Sequence, residues 1–152
     1  MDLIYIDIAT LDDLEEIYRI EKASFKTPWT KELIREELTF PLSLNLVAKY
    51  KDRICGFLLS WQIPPEIHIL TLAVEPESRG IGIGRALMEG LFAEAERRNC
   101  CKFTLEVRAS NKDAIEFYKK FSFIPRGVRK KYYQDTNEDA IIMWREKGDE
   151  GK

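Results

Sequence analysis

The sequence predicts one α/β domain over residues 1–147, with a flexible tail at 148–152. Its centre is a mixed, mostly antiparallel sheet of about seven strands with about four helices. Two apolar runs, residues 67–74 and 102–108, flank a segment of helical periodicity, and a crossover helix of that kind joins parallel strands in the right-handed sense. The runs on either side are separated by short polar turns, as antiparallel hairpins are. At 152 residues, 45% hydrophobic and 33% charged, the chain is large enough for one buried core.

Residues 4–9 read as a short strand, after which Thr10 caps a helix whose apolar positions are Leu11, Leu14, Ile17, Tyr18 and Phe25. Thr27, Pro28 and Trp29 break it, and Thr30 opens a second helix that ends before Pro41. Residues 44–50 and 54–61 alternate as two strands joined by the polar stretch 51–53, and Pro64 and Pro65 end the pair. The strand at 67–74 leads into a helix at 84–98, where Ile83, Leu87, Leu91 and Ala95 share one face. The strand at 102–108 leads into a helix at 114–121, preceded by Ser110 and Asp113 in a capping pattern. Two last strands, 124–132 and 140–144, are joined by the turn-rich stretch 134–139.

Lys plus Arg number 24 against 26 Asp plus Glu, so no global positive field points to nucleic acid. The expected partner is a small molecule or a protein segment. Cys55, Cys100 and Cys101 have no zinc-site or disulfide-framework spacing, and the one histidine, His68, has no second with which to build a metal site. No metal is expected. A start without a basic region and long apolar run, and the lack of any span-length apolar stretch, read as a cytoplasmic protein with no membrane partner.

The most informative stretch runs from Leu72 to Leu87, where Gly80, Gly82 and Gly84 alternate between a strand and a helix. No Lys-Ser or Lys-Thr follows, which excludes a nucleotide P-loop. The alternate spacing, Leu at position 87 and the residues between strand and loop exclude a dinucleotide fingerprint, despite an acid, Glu106, at a tempting distance. Backbone N–H groups at a helix N-terminus suit a diphosphate, and glycines allow close approach.

Arg79-Gly80-Ile81-Gly82-Ile83-Gly84 satisfies the pattern Arg/Gln-x-x-Gly-x-Gly/Ala, and here the chain resembles the GNAT superfamily of acyl-CoA-dependent N-acetyltransferases. Residues 105–123, residues 129–133, residues 138–143 and the turn at 27–30 extend the likeness, most of all to the RimI-type N-terminal alanine acetyltransferases of ribosomal proteins. The resemblance implies a GNAT fold with a splayed parallel strand pair, and acetyl-CoA as cosubstrate. It implies that Arg79, Gly80, Ile81, Gly82, Ile83, Gly84 and Arg85 receive the coenzyme pyrophosphate. Leu72, Ala73 and Val74 would offer backbone to the pantetheine arm, and Asn111 would touch the coenzyme. Trp29, Tyr132 and Tyr133 would border a peptide channel.

Amine acetylation needs a proton acceptor and a proton donor for the leaving thiolate. In residues 102–108, Phe103, Leu105 and Val107 alternate onto one face, leaving Thr104, Glu106 and Arg108 on the other. A carboxylate inside a sheet needs a partner or a cleft; the resemblance makes Glu106 the base, while an ion pair with Arg108 or a lysine is the plainer alternative. A base working near neutrality is expected to have its pKa raised by burial. Tyr118 shares a helix face with Ala114, Phe117 and Phe121, so by pattern it is a core aromatic; by resemblance it protonates the thiolate. His68 is expected to be a half-exposed structural residue, and Arg126, Arg129, Lys130 and Lys131 a solvated strand face.

Two positions depart from the family pattern: Gly80 where Arg is frequent, and Ser122 where Gly is common. If position 122 needs a positive φ, Ser costs on the order of 1 kcal/mol. The expected reaction is direct acetyl transfer in a ternary complex to the N-terminal alanine of a small-subunit ribosomal protein, ribosomal protein eighteen, by a monomer or weak homodimer. Lysine or small-molecule amine acetylation, and a non-catalytic acyl-CoA-binding module, remain alternatives.

Overall fold

A computed structural model describes residues 3–146. The expected tail at 148–152 therefore lies outside the described residues. The elements run β1 (Ile4–Ile8), α1 (Leu14–Ser24), α2 (Lys31–Thr39), β2 (Leu46–Tyr50), β3 (Arg53–Ile63), β4 (Glu66–Val74), α3 (Ile83–Arg97), β5 (Lys102–Arg108), α4 (Lys112–Lys119), β6 (Ile124–Tyr133) and β7 (Glu138–Glu146). The seven strands form one sheet in the order β1-β2-β3-β4-β5-β7-β6. Every pairing is antiparallel except β4 with β5, which is the mixed sheet the sequence predicts.

Apolar layers cover both faces. On one, Leu87, Met88 and Leu91 of α3 and Tyr118 of α4 join Leu58, Ile67, Phe103 and Leu105 of the sheet. On the other, Ile17 and Ile20 of α1 and Ile34 of α2 join Val47, Phe57 and Ala73. Each fully buried Ile, Leu or Phe contributes about 1.5–3 kcal/mol of transfer free energy. The expected α3 stripe of Ile83, Leu87, Leu91 and Ala95 is buried. The expected stripe of α1 is corrected at both ends. Leu11 lies in a short 3-10 turn and is 49% exposed, and Phe25 is exposed because the chain is already extended there.

Tight turns explain the remaining boundary shifts. Lys51 and Asp52 both have positive φ between Tyr50 and Arg53, the two-residue geometry that matches strand twist, so Arg53 belongs to β3. Helix α4 begins two residues before the expected position because Asn111 is its N-cap, with Oδ1 accepting the Ala114 N–H at 3.1 Å. Ser110 does not cap; its hydroxyl donates to Glu138 Oε2 at 2.5 Å.

The parallel ladder is short. It pairs Glu66 to Ile69 with Lys102 to Leu105 and goes no further, although β4 continues to Val74 and β5 to Arg108. A bulge in β4, where Leu59 pairs with Thr71 and Ser60 with Ile69, adds the residue that breaks the register. Past it the two strands hold to their outer neighbours, β3 and β7, and part from each other. Among the described residues no helix is long and apolar enough to cross a membrane.

Candidate active site

The glycine loop joins the β4 end of the splay to α3. Gly80 and Gly82 have φ of +86° and +95°, and a Cβ at either would meet no atom of the chain within 4 Å. They are needed for the left-handed backbone, and the space above them is open. Gly84 serves packing instead, since a Cβ there would stand 3.0 Å from the Phe117 ring, and its absence lets α3 lie against α4. Gly82 caps α3 without a side-chain acceptor, and no acid stands in the first turn. The leading N–H groups of a 15-residue helix thus face solvent with no opposing charge, which suits an anion.

A cavity of about 450 Å³ opens at this point, lined by Val74, Ser78, Arg79, Gly80, Gly82, Ile83, Gly84, Arg85, Phe117, Lys120 and Phe121. It gathers most of the loop residues singled out in the sequence, and adds Lys120, whose charge the helical pattern did not flag. Ile81 is exposed, and Ile83 contributes backbone only, its side chain being in the core. Arg79 folds back: its Nε donates to the Val74 carbonyl at 3.0 Å. Leu72, Ala73 and Val74 lie past the last β4–β5 pair, so that edge of β4 has no register partner in β5. A hollow of about 610 Å³ at the β1–β2 end of the sheet holds none of the motif residues.

Glu75 anchors the loop from beneath. It is fully buried, and its carboxylate accepts from Arg19 at 3.2 Å, from Ser78 at 2.5 Å and from Arg53. An acid between Val74 and Pro76 looks like a turn residue in the sequence; only its partners from α1 and β3 reveal the anchor.

Glu106 stands where alternation places it, on the face opposite Leu105 and one residue past the end of the parallel ladder. Its side chain is 12% exposed. It is not paired with Arg108 or with a lysine. Oε2 lies 2.6 Å from His68 Nε2, and Oε1 lies 3.4 Å from Arg129 Nε. The expected upward pKa shift is reversed: the His68 hydrogen bond outweighs burial, and with Arg129 holds the carboxyl below its ordinary range. Two sequence expectations change accordingly. His68 is half-exposed, yet it is the direct partner of Glu106, and Arg129 turns from the solvated strand face onto the same carboxylate.

Tyr118 approaches from the other face. It is 8% exposed, packed against Phe117 and Phe123, and burial drives its phenol far above the ordinary value. A helix-ending motif holds it in place: the Phe123 N–H donates to the Tyr118 carbonyl and the Ser122 N–H to the Lys119 carbonyl, with Ser122 at φ +67°. Tyr133 closes β6, and burial pushes its phenol up to about 12. Asn111 is exposed, with Oδ1 used by the cap.

The remaining aromatics stand beside two connections, α1–α2 and β6–β7. Trp29 is partly buried against the α1–α2 core, and its backbone N–H donates to Glu21 Oε2 at 2.9 Å. Glu21 is itself buried, and burial raises its carboxyl to about 7. Tyr132 and Tyr133 pack edge-on at 5.0 Å, and the Arg108 guanidinium lies 4.0 Å over the Tyr133 ring. Thr27, two residues before Trp29, donates to Asp135 Oδ2, and Asp135 accepts both Arg108 amino groups. The α1–α2 and β6–β7 connections, distant in sequence, thus form one rim.

Residues 14–123 match the acetyltransferase (GNAT) family. The chain is 37% identical over 135 residues to a Bacillus subtilis protein whose name offers it as a candidate ribosomal protein bS18-alanine N-acetyltransferase, covering 88% of this chain and 89% of that one. It is 35% identical over 138 residues to the ribosomal protein bS18-alanine N-acetyltransferase of Escherichia coli K12, covering 86% and 89%. The crystal structure of the ribosomal-protein-S18-alanine N-acetyltransferase from Escherichia coli superposes with a TM-score of 0.88 at 32% identity, over 95% of this chain and 94% of that one.

Proposed function

We propose that this chain, which belongs to the GNAT family and is an acetyl-CoA-dependent N-acetyltransferase, takes as its acceptor the N-terminal α-amine of a protein, the alanine of a ribosomal protein of the small subunit. The observation that carries this reading is the splay of β4 and β5, with Glu106 one residue past the last pair and the Thr27–Asp135 rim tied through Arg108 to the end of β5. The relatives named for bS18-alanine acetylation support the acceptor.

Acetyl-CoA supplies the acetyl thioester. The first turn of α3, with Gly80 and Gly82 leaving the approach open, holds the pyrophosphate, and Arg85 and Lys120 add charge at the same cavity. The free edge of β4 over Leu72 to Val74 receives the pantetheine arm as an added strand would. Trp29, Tyr132 and Tyr133 wall the peptide channel, and a rim braced through Asp135 presents the terminal amine to Glu106.

Glu106 accepts the ammonium proton. Because His68 and Arg129 keep it ionised across the neutral range, it also attracts the charged amine. A carboxylate below its reference value is a poor store for a proton from an α-amine near 8; the gap of about 3.5 units or more is an uphill transfer of about 5 kcal/mol. Tyr118, kept as a phenol by burial, donates to the departing thiolate. No side chain is acylated; the amine attacks directly.

The test is to incubate the protein and acetyl-CoA with N-terminal peptides of ribosomal proteins and locate the acetyl group by mass spectrometry. Acetylation of a free alanine terminus, lost on blocking that terminus, is expected. Modification of lysines in blocked peptides, or coenzyme binding without thiol release, would reject the reading.

A further inference from the structure

We propose that Glu75 is a positioning residue for the donor: through the Ser78 hydroxyl it holds the glycine loop in the shape that receives the coenzyme diphosphate. The inference rests on that loop as the diphosphate site, and deepens that reading.

The loop has little else to support it. Gly80 and Gly82 stand in left-handed backbone, and no atom of the chain lies within 4 Å of where a Cβ would be at either. Glycine has the most conformational freedom to lose, so this stretch keeps a single shape only if its two ends are fixed. The far end is fixed by Ile83, which is packed in the core. The near end is the 3-10 turn Pro76–Ser78, closed by the Ser78 N–H on the Glu75 carbonyl at 3.0 Å. The Ser78 hydroxyl, 2.5 Å from Glu75 Oε2, ties that turn to the carboxylate beneath it. Ser78 also lines the cavity at the head of α3, so a shift of the turn is a shift of the site.

Glu75 is itself located by two elements distant in sequence. Its N–H donates to the Cys55 carbonyl of β3 at 2.8 Å, Oε1 accepts from Arg19 of α1 at 3.2 Å, and Oε2 accepts from Arg53 at the start of β3. The side chain has no exposed surface, and a carboxylate so placed is tolerated because it is paired and hydrogen-bonded. Its charge is matched to its partners. An ionised carboxylate only accepts, and all three side-chain partners here are donors, two of them cations; an amide in its place would turn an N–H toward a donor. The two guanidinium groups also offset the carboxylate's charge, so that it does not repel an anion bound above. A loop shaped before the ligand arrives loses less freedom on binding, and the tie should therefore be read in donor affinity.

The experiment compares wild type, Glu75→Gln, Ser78→Ala and the double variant, all full length, with two donors: acetyl-CoA, and S-acetylpantetheine, which carries the thioester and the arm but no diphosphate. Rates are measured with an alanine-terminal peptide, and the Kd of coenzyme A by calorimetry. For Glu75→Gln the expected result is a rise of about tenfold or more in KM for acetyl-CoA and in Kd for coenzyme A, the scale of one hydrogen bond to a charged group. Saturated kcat, and kcat/KM for S-acetylpantetheine, should be kept. Ser78→Ala should show the same split, and the double variant should lose no more than the weaker single one, because the two residues act as a unit. A Glu75→Gln protein with wild-type preference for acetyl-CoA would overturn the proposal, and so would equal losses with both donors, which mark a general defect of the fold. If Glu75→Gln yields no folded protein, Ser78→Ala decides, and an unchanged preference there overturns the proposal. Additive losses in the double variant would do the same. A wild type that uses both donors equally well would overturn the diphosphate reading of the loop, and this inference with it.

Discussion

The hydroxyl of Thr27 donates to Oδ2 of Asp135 across 2.8 Å, joining residues 108 positions apart in sequence. Asp135 is held from behind by two Arg108 contacts of 3.0 and 2.8 Å, so the rim of the site is fastened to the end of β5, two residues beyond Glu106. A loop alone has little to hold it; this one is tied to the strand that carries Glu106.

Removing that tie should loosen acceptor binding and spare the donor. Thr27→Val keeps the shape and deletes one exposed hydrogen bond, which is worth about 0.5–1.5 kcal/mol, so KM for an acceptor peptide should rise up to about tenfold. KM for acetyl-CoA should stay constant. Steady-state kinetics with each substrate varied checks this, and an equal rise in both constants would show that the rim does not belong to the acceptor side.

Glu106→Gln and Tyr118→Phe should each lower kcat by about a hundredfold or more, the usual scale of a lost acid or base. Neither residue lines the cavity at the head of α3, so coenzyme A affinity measured by calorimetry should be kept. Wild-type turnover in one variant removes that residue from the mechanism.

Ser122 holds φ +67° at the end of α4, a conformation in which a Cβ is strained. Ser122→Gly should raise the unfolding free energy by about 0.5–1 kcal/mol and the melting temperature by about 1–4 °C. Calorimetry gives the answer, and a lower melting temperature would mean that the Ser122 side chain contributes more than its backbone costs.

Glu21 makes stability depend on pH in an unusual direction. Its carboxyl titrates near 7 in the fold against about 4.5 otherwise, because burial disfavours the charge more than the Trp29 N–H favours it. Its stabilising contribution is complete below about 4.5 and is lost as pH rises through about 7. Glu21→Gln, neutral at every pH, should flatten that slope and raise stability at pH 8 by on the order of 2 kcal/mol. Urea titrations at pH 5 and 8 measure it; an unchanged slope would place the titrating group elsewhere.

The mixed sheet, the loop at Arg79 to Gly84 and the face on which Glu106 stands are all legible in the amino-acid order. They depend on periodicity, on glycine at left-handed positions and on strand alternation, each of which is local. What Glu106 touches is not legible there. Its partners, His68 and Arg129, are 38 and 23 positions away, and nothing in either neighbourhood marks them as members of one cluster. The folded arrangement also reverses the expected pKa: burial, which alternation can predict, raises a carboxyl, while the hydrogen bond that lowers it comes from another strand. Glu75, Lys120 and Asp135 are silent in the sequence for the same reason. A side chain's type and face are written locally, but its electrostatics belong to whichever distant groups the sheet order brings within a few ångströms.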